Sequence, residues 1–380
     1  MKILHDSISG LKKDGRPVIG CFPLYPPLEL FHSMGIVPLV LWGLGDAVRT
    51  TTRSDRHLQS YTCSVGRRLA EFVLSENGEL LDGMFMYNAC DTLRNFPEIL
   101  ESGVTLPGRR AVPMLKMHVP AGSDSGNMPG ESFLAIEIAE LIRETESLLG
   151  VSFSGERFKE SVALYREMRS LAMRLQSTVA RGLLSFRDYR DSAIIACMMP
   201  VEEQIALFSS LLGNSDCSGG GNTRTRECGI VLSGILPPPA GIVEIIENAE
   251  LCVAANDCAM MHRSWAFTPS CDDDPVEYYA ELYRNHFPCT TLLPSADRRI
   301  GTIIDMARES GARGIMFIGE KFCEYEYFEM PLLEERLERE GIHTLRIELT
   351  IDDLDAASVK TRIEAFAELL RDEGRRAPVV

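Results

Sequence analysis

Short, wholly apolar runs alternate with longer amphipathic stretches over much of the chain, the pattern of buried parallel strands joined by helices. Val18-Ile19-Gly20-Cys21-Phe22 reads as a buried strand, Pro26 to Gly35 as a helix opened by prolines and closed by glycine, and Val37 to Trp42 as a second strand. This βαβ unit implies a parallel pair with a right-handed crossover. A helix over Arg67 to Glu76, a strand over Gly83 to Tyr87, a helix capped by Asp91-Thr92 and running through Leu100, and a strand over Ala111 to Met117 continue the alternation. The Gly/Ser/Asp-rich stretch 121–130 reads as a loop.

From Glu131 to Gly213 the period changes. Phe158, Val162, Tyr165, Met168, Ala172, Leu175 and Val179 recur every three or four residues, one apolar helical stripe with Ser154 as its cap. Pro200 opens another helix ending near Gly213. Such stripes belong to packing rather than to cofactor contact. Ser218-Gly219-Gly220-Gly221-Asn222 is flexible linker by composition. Strands then recur at Gly229 to Leu232, Leu251 to Ala255, Gly314 to Ile318 and Thr344 to Leu349. Helices are expected at Pro239 to Glu247, Ile300 to Glu309, Pro331 to Glu340 and Ala356 to Arg375. The expected architecture is α/β: two doubly wound parallel-sheet domains, residues 1–130 and 218–380, with a helical segment, 131–217, between them.

Composition narrows the function without naming it. The 380 residues are 45% hydrophobic and 25% charged, as in ordinary globular proteins. A formal net charge of -16 argues against a nucleic-acid partner, which demands clustered Lys and Arg. No apolar run reaches a membrane span, and the N-terminus lacks the apolar core of a signal peptide, so a cytoplasmic protein is expected. Eleven cysteines are then unusual, because cytosolic thiols stay reduced and an odd number cannot all pair. No C-x-x-C occurs, which removes the thioredoxin motif and the zinc ribbon, and no G-x-G-x-x-G follows a strand, which removes a nucleotide-dependent dehydrogenase.

Most cysteines serve as small buried hydrophobes, so position must promote one to ligand. Three stand out: Cys63, ahead of the helix at Arg67; Cys90, just past the carboxyl end of the Gly83 to Tyr87 strand; and Cys323, five residues after Ile318. Parallel sheets hold ligands in the crevice beyond their carboxyl ends, and thiolates are the preferred ligands of iron–sulfur clusters. The three follow no compact ferredoxin spacing. His118 and His262 are further candidates as general acids or bases, and Arg263 by position for an anionic group, although a lone histidine is more often a surface or satisfied core residue.

Four segments resemble the 2-hydroxyacyl-CoA dehydratase D-component and benzoyl-CoA reductase family, and the similarity covers most of the chain. Pro27 to Pro38 resembles its P-E-E…H-A-A-G-x-x-P segment, and Gln59-Ser60-Tyr61-Thr62-Cys63-Ser64 its Q-S-x-x-C-S element. Asp82-Gly83 through Asn88-Ala89-Cys90-Asp91 to Arg94-Asn95 resembles its D-G…N-x-C-D-x-x-R-N element, the most specific of the set. Lys321-Phe322-Cys323-Glu324, with Pro331-Leu332-Leu333 and Gly341-Ile342, resembles its K-F-C-[DE] ending.

The resemblance implies two flavodoxin-like domains with a [4Fe-4S] cluster between them, ligated by Cys63, Cys90 and Cys323. It further implies an acyl-CoA substrate, with an open iron acting as Lewis acid and one electron passing to the thioester to give a ketyl radical that sheds its β-hydroxyl. The implied partners are an ATP-dependent iron–sulfur activator as electron donor and a paired related subunit, in a heterodimer or homodimer. No G-x-x-x-x-G-K-[ST] occurs here, so ATP hydrolysis would belong to the activator. Asn256-Asp257-Cys258 departs from the family's D-D-hydrophobic-C, bringing the cysteine one position early, and Cys289 lies near a family C-P-T segment. A branch of the same superfamily carries a double-cubane [8Fe-9S] cluster, for which Cys21, Cys258 and Cys289 would be the extra ligands. That alternative is an electron-transfer or reductase protein without an acyl-CoA substrate.

Overall fold

The computed structural model describes residues 2–42, 44, 47–103, 111–119, 131–216, 228–289, 296–350 and 356–376; the loop expected at 121–130 and the linker at 218–222 lie outside them. The first half runs α1 (Lys2–Leu11), β1 (Val18–Phe22), α2 (Leu28–Ser33), β2 (Val37–Val40), α3 (Ser64–Val73), β3 (Gly83–Tyr87), α4 (Asp91–Arg94), α5 (Phe96–Gly103) and β4 (Met114–Met117). Helices α6 (Glu131–Leu149), α7 (Gly155–Ala180), α8 (Phe186–Ala196) and α9 (Val201–Asp216) follow. The second half comprises β5 (Gly229–Gly234), α10 (Ala240–Asn248), β6 (Cys252–Cys258), α11 (Pro275–Asn285), α12 (Ala296–Ser310), β7 (Gly314–Glu320), α13 (Glu324–Arg339), β8 (His343–Leu349) and α14 (Ala356–Arg376).

Both sheets are parallel and repeat one order, β2-β1-β3-β4 and β6-β5-β7-β8. The expected two-domain α/β architecture is therefore present. In each sheet the chain reverses its direction of winding between the first and third strands, and the crevice beyond that switch point is where such folds bind ligands. β1, β3, β5 and β7 are buried along their whole length, which is why they read as unbroken apolar runs, while the edge strands β4 and β8 alternate. At the end of β5, Gly234 leaves room for its neighbour: a Cβ there would sit 2.4 Å from the Ile318 carbonyl oxygen.

The central helices join both halves. Leu134, Ile138, Phe158 and Val162 pack into the first domain's core, whereas Tyr165 to Val179 of the same α7 pack into the second's. Every residue of the expected α7 stripe is buried, and Ser154 caps the helix by accepting the Arg157 N–H. Helix α11 was not anticipated. It lies in the second half of the chain but packs against the first domain's core, carried by Tyr278, Tyr279 and Tyr283.

A buried carboxylate ties these pieces together. Glu29 of α2 is fully buried, pairs with Arg169 of α7, and accepts hydrogen bonds from Tyr278 Oη (2.8 Å) and Tyr279 Oη (3.1 Å) of α11. Tyr279 Oη in turn accepts the Leu30 N–H. Removing one partner of such a group leaves an uncompensated charge in the interior. Glu29→Ala or Arg169→Ala should therefore cost about 3–5 kcal/mol in urea unfolding, and a loss below about 1 kcal/mol would mean that the pair does not brace the fold.

Candidate functional site

The cysteines singled out in the sequence occupy equivalent local positions. Cys63 is the N-cap of α3, Cys90 of α4 and Cys323 of α13, each residue lying just outside its helix with non-helical backbone. Cys90 follows β3 and Cys323 follows β7, the third strand to enter each sheet, so the two sit at corresponding points of the repeated topology. β7 runs on to Glu320, which places Cys323 three residues past its end rather than five. The expected helix start at Pro331 is likewise corrected: α13 begins at Glu324 and carries Pro331 inside it. The Asp91-Thr92 cap is replaced by Cys90, and the helix expected through Leu100 divides into α4 and α5.

The three thiols feel one another. Burial foremost, helped by Glu320 and Cys90 and opposed by the amides of Gly66 and Val65 in the first turn of α3, pushes the Cys63 thiol up to about 12. Cys90 is raised by burial, then by Asp91 and Glu324, against the Leu93 and Thr92 amides. Cys323 is raised by burial, then by Glu326, Cys63 and Cys90, against the Glu326 amide. A Cβ on Gly66 would lie 3.6 Å from Cys63 Sγ and 3.7 Å from Thr92 Cγ2, so the first turns of α3 and α4 are packed side by side. All three side chains are half-buried.

The surrounding turns are held by specific bonds. Asn88 Oδ1 accepts the Val119 N–H at 2.9 Å, anchoring the Tyr87-to-Cys90 turn to the end of β4. Phe322 stands at φ 68°, a left-handed conformation that costs a bulky side chain energy and that persists only where the surroundings hold it. It directly precedes Cys323. Its ring is 44% exposed beneath the Lys321 ammonium, 5.3 Å from the centroid. Tyr61, two residues before Cys63, is also exposed. Ser64, the first residue of α3, donates both its N–H (2.9 Å) and its hydroxyl (2.5 Å) to Glu320 Oε1 of the other domain.

Chemically, the arrangement offers three thiols from distant segments, each facing the amide end of a helical turn, which favours negative charge on sulfur. Among the described residues no three His, Cys, Asp or Glu side chains are placed to hold a single metal ion.

The other sequence candidates sit in different local settings. Cys21 is buried within β1, Cys258 ends β6 and is buried beside Asp257, and Cys289 is buried with Arg263 Nη1 3.5 Å from its sulfur. None of them is among the leading charges acting on Cys63, Cys90 or Cys323. His118 is exposed at the end of β4, 3.6 Å from Glu137. His262 is buried, its Nδ1 3.0 Å from Gln176 Oε1 and its ring edge-on to Phe287. The expectation that Arg263 faces an anionic ligand is corrected: it is 1% exposed and bound to Asp257 through Nε at 2.7 Å and Nη2 at 3.2 Å, with Arg299 on the same carboxylate. Ser64 and Glu320 were missed altogether.

Residues 23–370 match the family described as 2-hydroxyglutaryl-CoA dehydratase, D-component. The chain is 24% identical over 371 residues to the (R)-phenyllactyl-CoA dehydratase beta subunit of Clostridium sporogenes, covering 95% of this chain and 93% of that protein. It is 24% identical over 365 residues to the beta subunit of (R)-2-hydroxyglutaryl-CoA dehydratase of Acidaminococcus fermentans, covering 94% of each. Against a benzoyl-CoA reductase subunit of Thauera aromatica the identity is 22% over 368 residues, covering 94% of this chain and 91% of that protein.

Burial lowers the pKa of His262 from 6.5 to about 4. In that window the unfolded chain takes up a proton that the folded chain refuses, so this stabilising contribution is present above pH 6.5 and is lost as pH falls toward 4. The unfolding free energy of wild type relative to His262→Gln should fall across the window, by at most about 3 kcal/mol. Parallel profiles would contradict the burial of a neutral imidazole.

Proposed function

Because the chain belongs to the 2-hydroxyglutaryl-CoA dehydratase D-component family, we propose that it is the iron–sulfur subunit of a 2-hydroxyacyl-CoA dehydratase or benzoyl-CoA reductase type of enzyme. In this reading Cys63, Cys90 and Cys323 hold one four-iron cluster in the crevice between the two sheets. The observation that supports it is three cysteines from distant segments, each capping a helix, with the first turns of α3 and α4 packed side by side and Ser64 bonded to Glu320 beside the Cys323 turn. When bound, such a cluster supplies single electrons and a Lewis-acidic iron, the requirements for ketyl-radical chemistry on an acyl-CoA thioester.

The chain's own residues supply the setting. The thiols are held protonated by burial, so loading the cluster must release their protons. The first-turn amides of α3, α4 and α13 then face sulfurs that carry negative charge. Asn88 and the Phe322 turn hold the Cys90 and Cys323 backbones in place before any ligand arrives. Each of the named relatives is one subunit of a larger enzyme, which supports a paired related subunit here, and an ATP-dependent activator would deliver the electrons. The double-cubane alternative would call on Cys21, Cys258 and Cys289; these are fully buried whereas Cys63, Cys90 and Cys323 are half-buried, which favours the single cluster.

Iron and sulfide analysis of anaerobically purified protein tests this. About four irons per chain are expected, against about eight for the larger cluster. Cys90→Ala should lose most of the iron while Cys197→Ala, at a cysteine apart from the site, keeps it. Equal retention in both variants would remove Cys90 from the ligand set.

A further inference from the structure

Cys63 begins α3 without an oxygen to cap it, and the cap comes from the other domain. Glu320, the last residue of β7, accepts the Ser64 N–H and hydroxyl on one oxygen, so a buried carboxylate faces the amide end of α3. The same residue organises the Cys323 turn. Its carbonyl accepts the Cys323 N–H at 2.9 Å, and its own N–H donates to Glu326 Oε2 at 3.4 Å. One residue thereby touches the backbone turns of two of the three cysteines, across 256 positions of sequence.

The joining of the domains does not depend on this bond. Tyr25 Oη donates to the carbonyls of Arg263 and Phe287, Tyr283 Oη donates to the Tyr25 carbonyl, and the Glu29 cluster holds α2, α7 and α11 together. A buried carboxylate beside thiols is also poorly chosen for stability alone, since like charges so close repel once the sulfurs ionise. Its position answers a requirement of the site.

We infer that Glu320 is a positioning residue for the proposed cluster: through Ser64 it sets Cys63 against the Cys323 turn and fixes one negative charge beside the sulfurs. This rests on the reading that the three cysteines bind iron. Two consequences separate geometry from charge. Glu320→Gln keeps an oxygen for both Ser64 bonds and removes the charge, whereas Glu320→Ala removes both. A negative charge held beside a redox centre makes an added electron less welcome, so it lowers the reduction potential.

The test uses full-length protein, purified anaerobically as wild type, Glu320→Gln and Glu320→Ala. Iron and sulfide per chain, the cluster's midpoint potential and the urea unfolding of iron-free protein are measured for each. Glu320→Gln is expected to hold iron as wild type does, at a more positive potential. Glu320→Ala should bind iron about tenfold more weakly, as loss of an outer-shell partner does, with an iron-free form that still unfolds cooperatively in urea although at a lower midpoint than wild type. Wild-type iron content and potential in both variants would overturn the inference. So would unchanged potential in Glu320→Gln together with an iron loss in Glu320→Ala matched by unfolding of its iron-free form. Wild-type protein that binds no iron would instead overturn the underlying reading, and this inference with it.

Discussion

A parallel strand can only end where its crossover begins, and in this protein the three candidate cysteines stand at the beginnings of crossover helices. Cys90 and Cys323 each leave the third strand of a sheet and open the helix that follows, and Cys63 opens the helix between β2 and β3. Because both sheets share one strand order, the two corresponding crevices present the same kind of turn. The helix starts give the thiols amide partners. The cost is also local: burial first, then repulsion from neighbouring acidic groups, favours the protonated thiols.

That arrangement needs the two halves of the molecule to keep a fixed relation, and the interior is built to supply it. Helix α7 lends its first turns to one core and the remainder to the other. Helix α11 returns from the second half to close the first core, and the Glu29 carboxylate binds α2, α7 and α11 at one point. In the second domain Asp257 pairs with Arg263 and Arg299, and Glu329 gives Arg299 a second carboxylate, so two buried cations face two carboxylates. Glu320 then adds a finer adjustment at the site itself, between parts already held together elsewhere.

Much of this was legible along the chain, for identifiable reasons. The central strands β1 and β3 are buried on both faces, so their boundaries coincide with their apolar runs. The α7 stripe could be read because one face of a long helix is buried throughout. Helix starts were less legible at the site, because cysteine is not among the residues that announce a cap and Pro331 imitates a first-turn proline in mid-helix. Helix α11 was overlooked despite Asp274-Pro275, an N-cap followed by a first-turn proline. The Ser64–Glu320 contact and the burial of Arg263 have no local signature, since each depends on residues brought together only by the finished fold. The three cysteines themselves stood out by their motifs, and their shared place as helix N-caps is what the fold adds.

The central claim is that one inorganic core lies between those sulfurs, and anomalous diffraction at the iron edge from anaerobically grown crystals addresses it most directly. The account predicts a single compact iron peak bounded by Sγ of Cys63, Cys90 and Cys323. Iron density at Cys21, Cys258 or Cys289 instead, or three sulfurs with no iron between them, would contradict it.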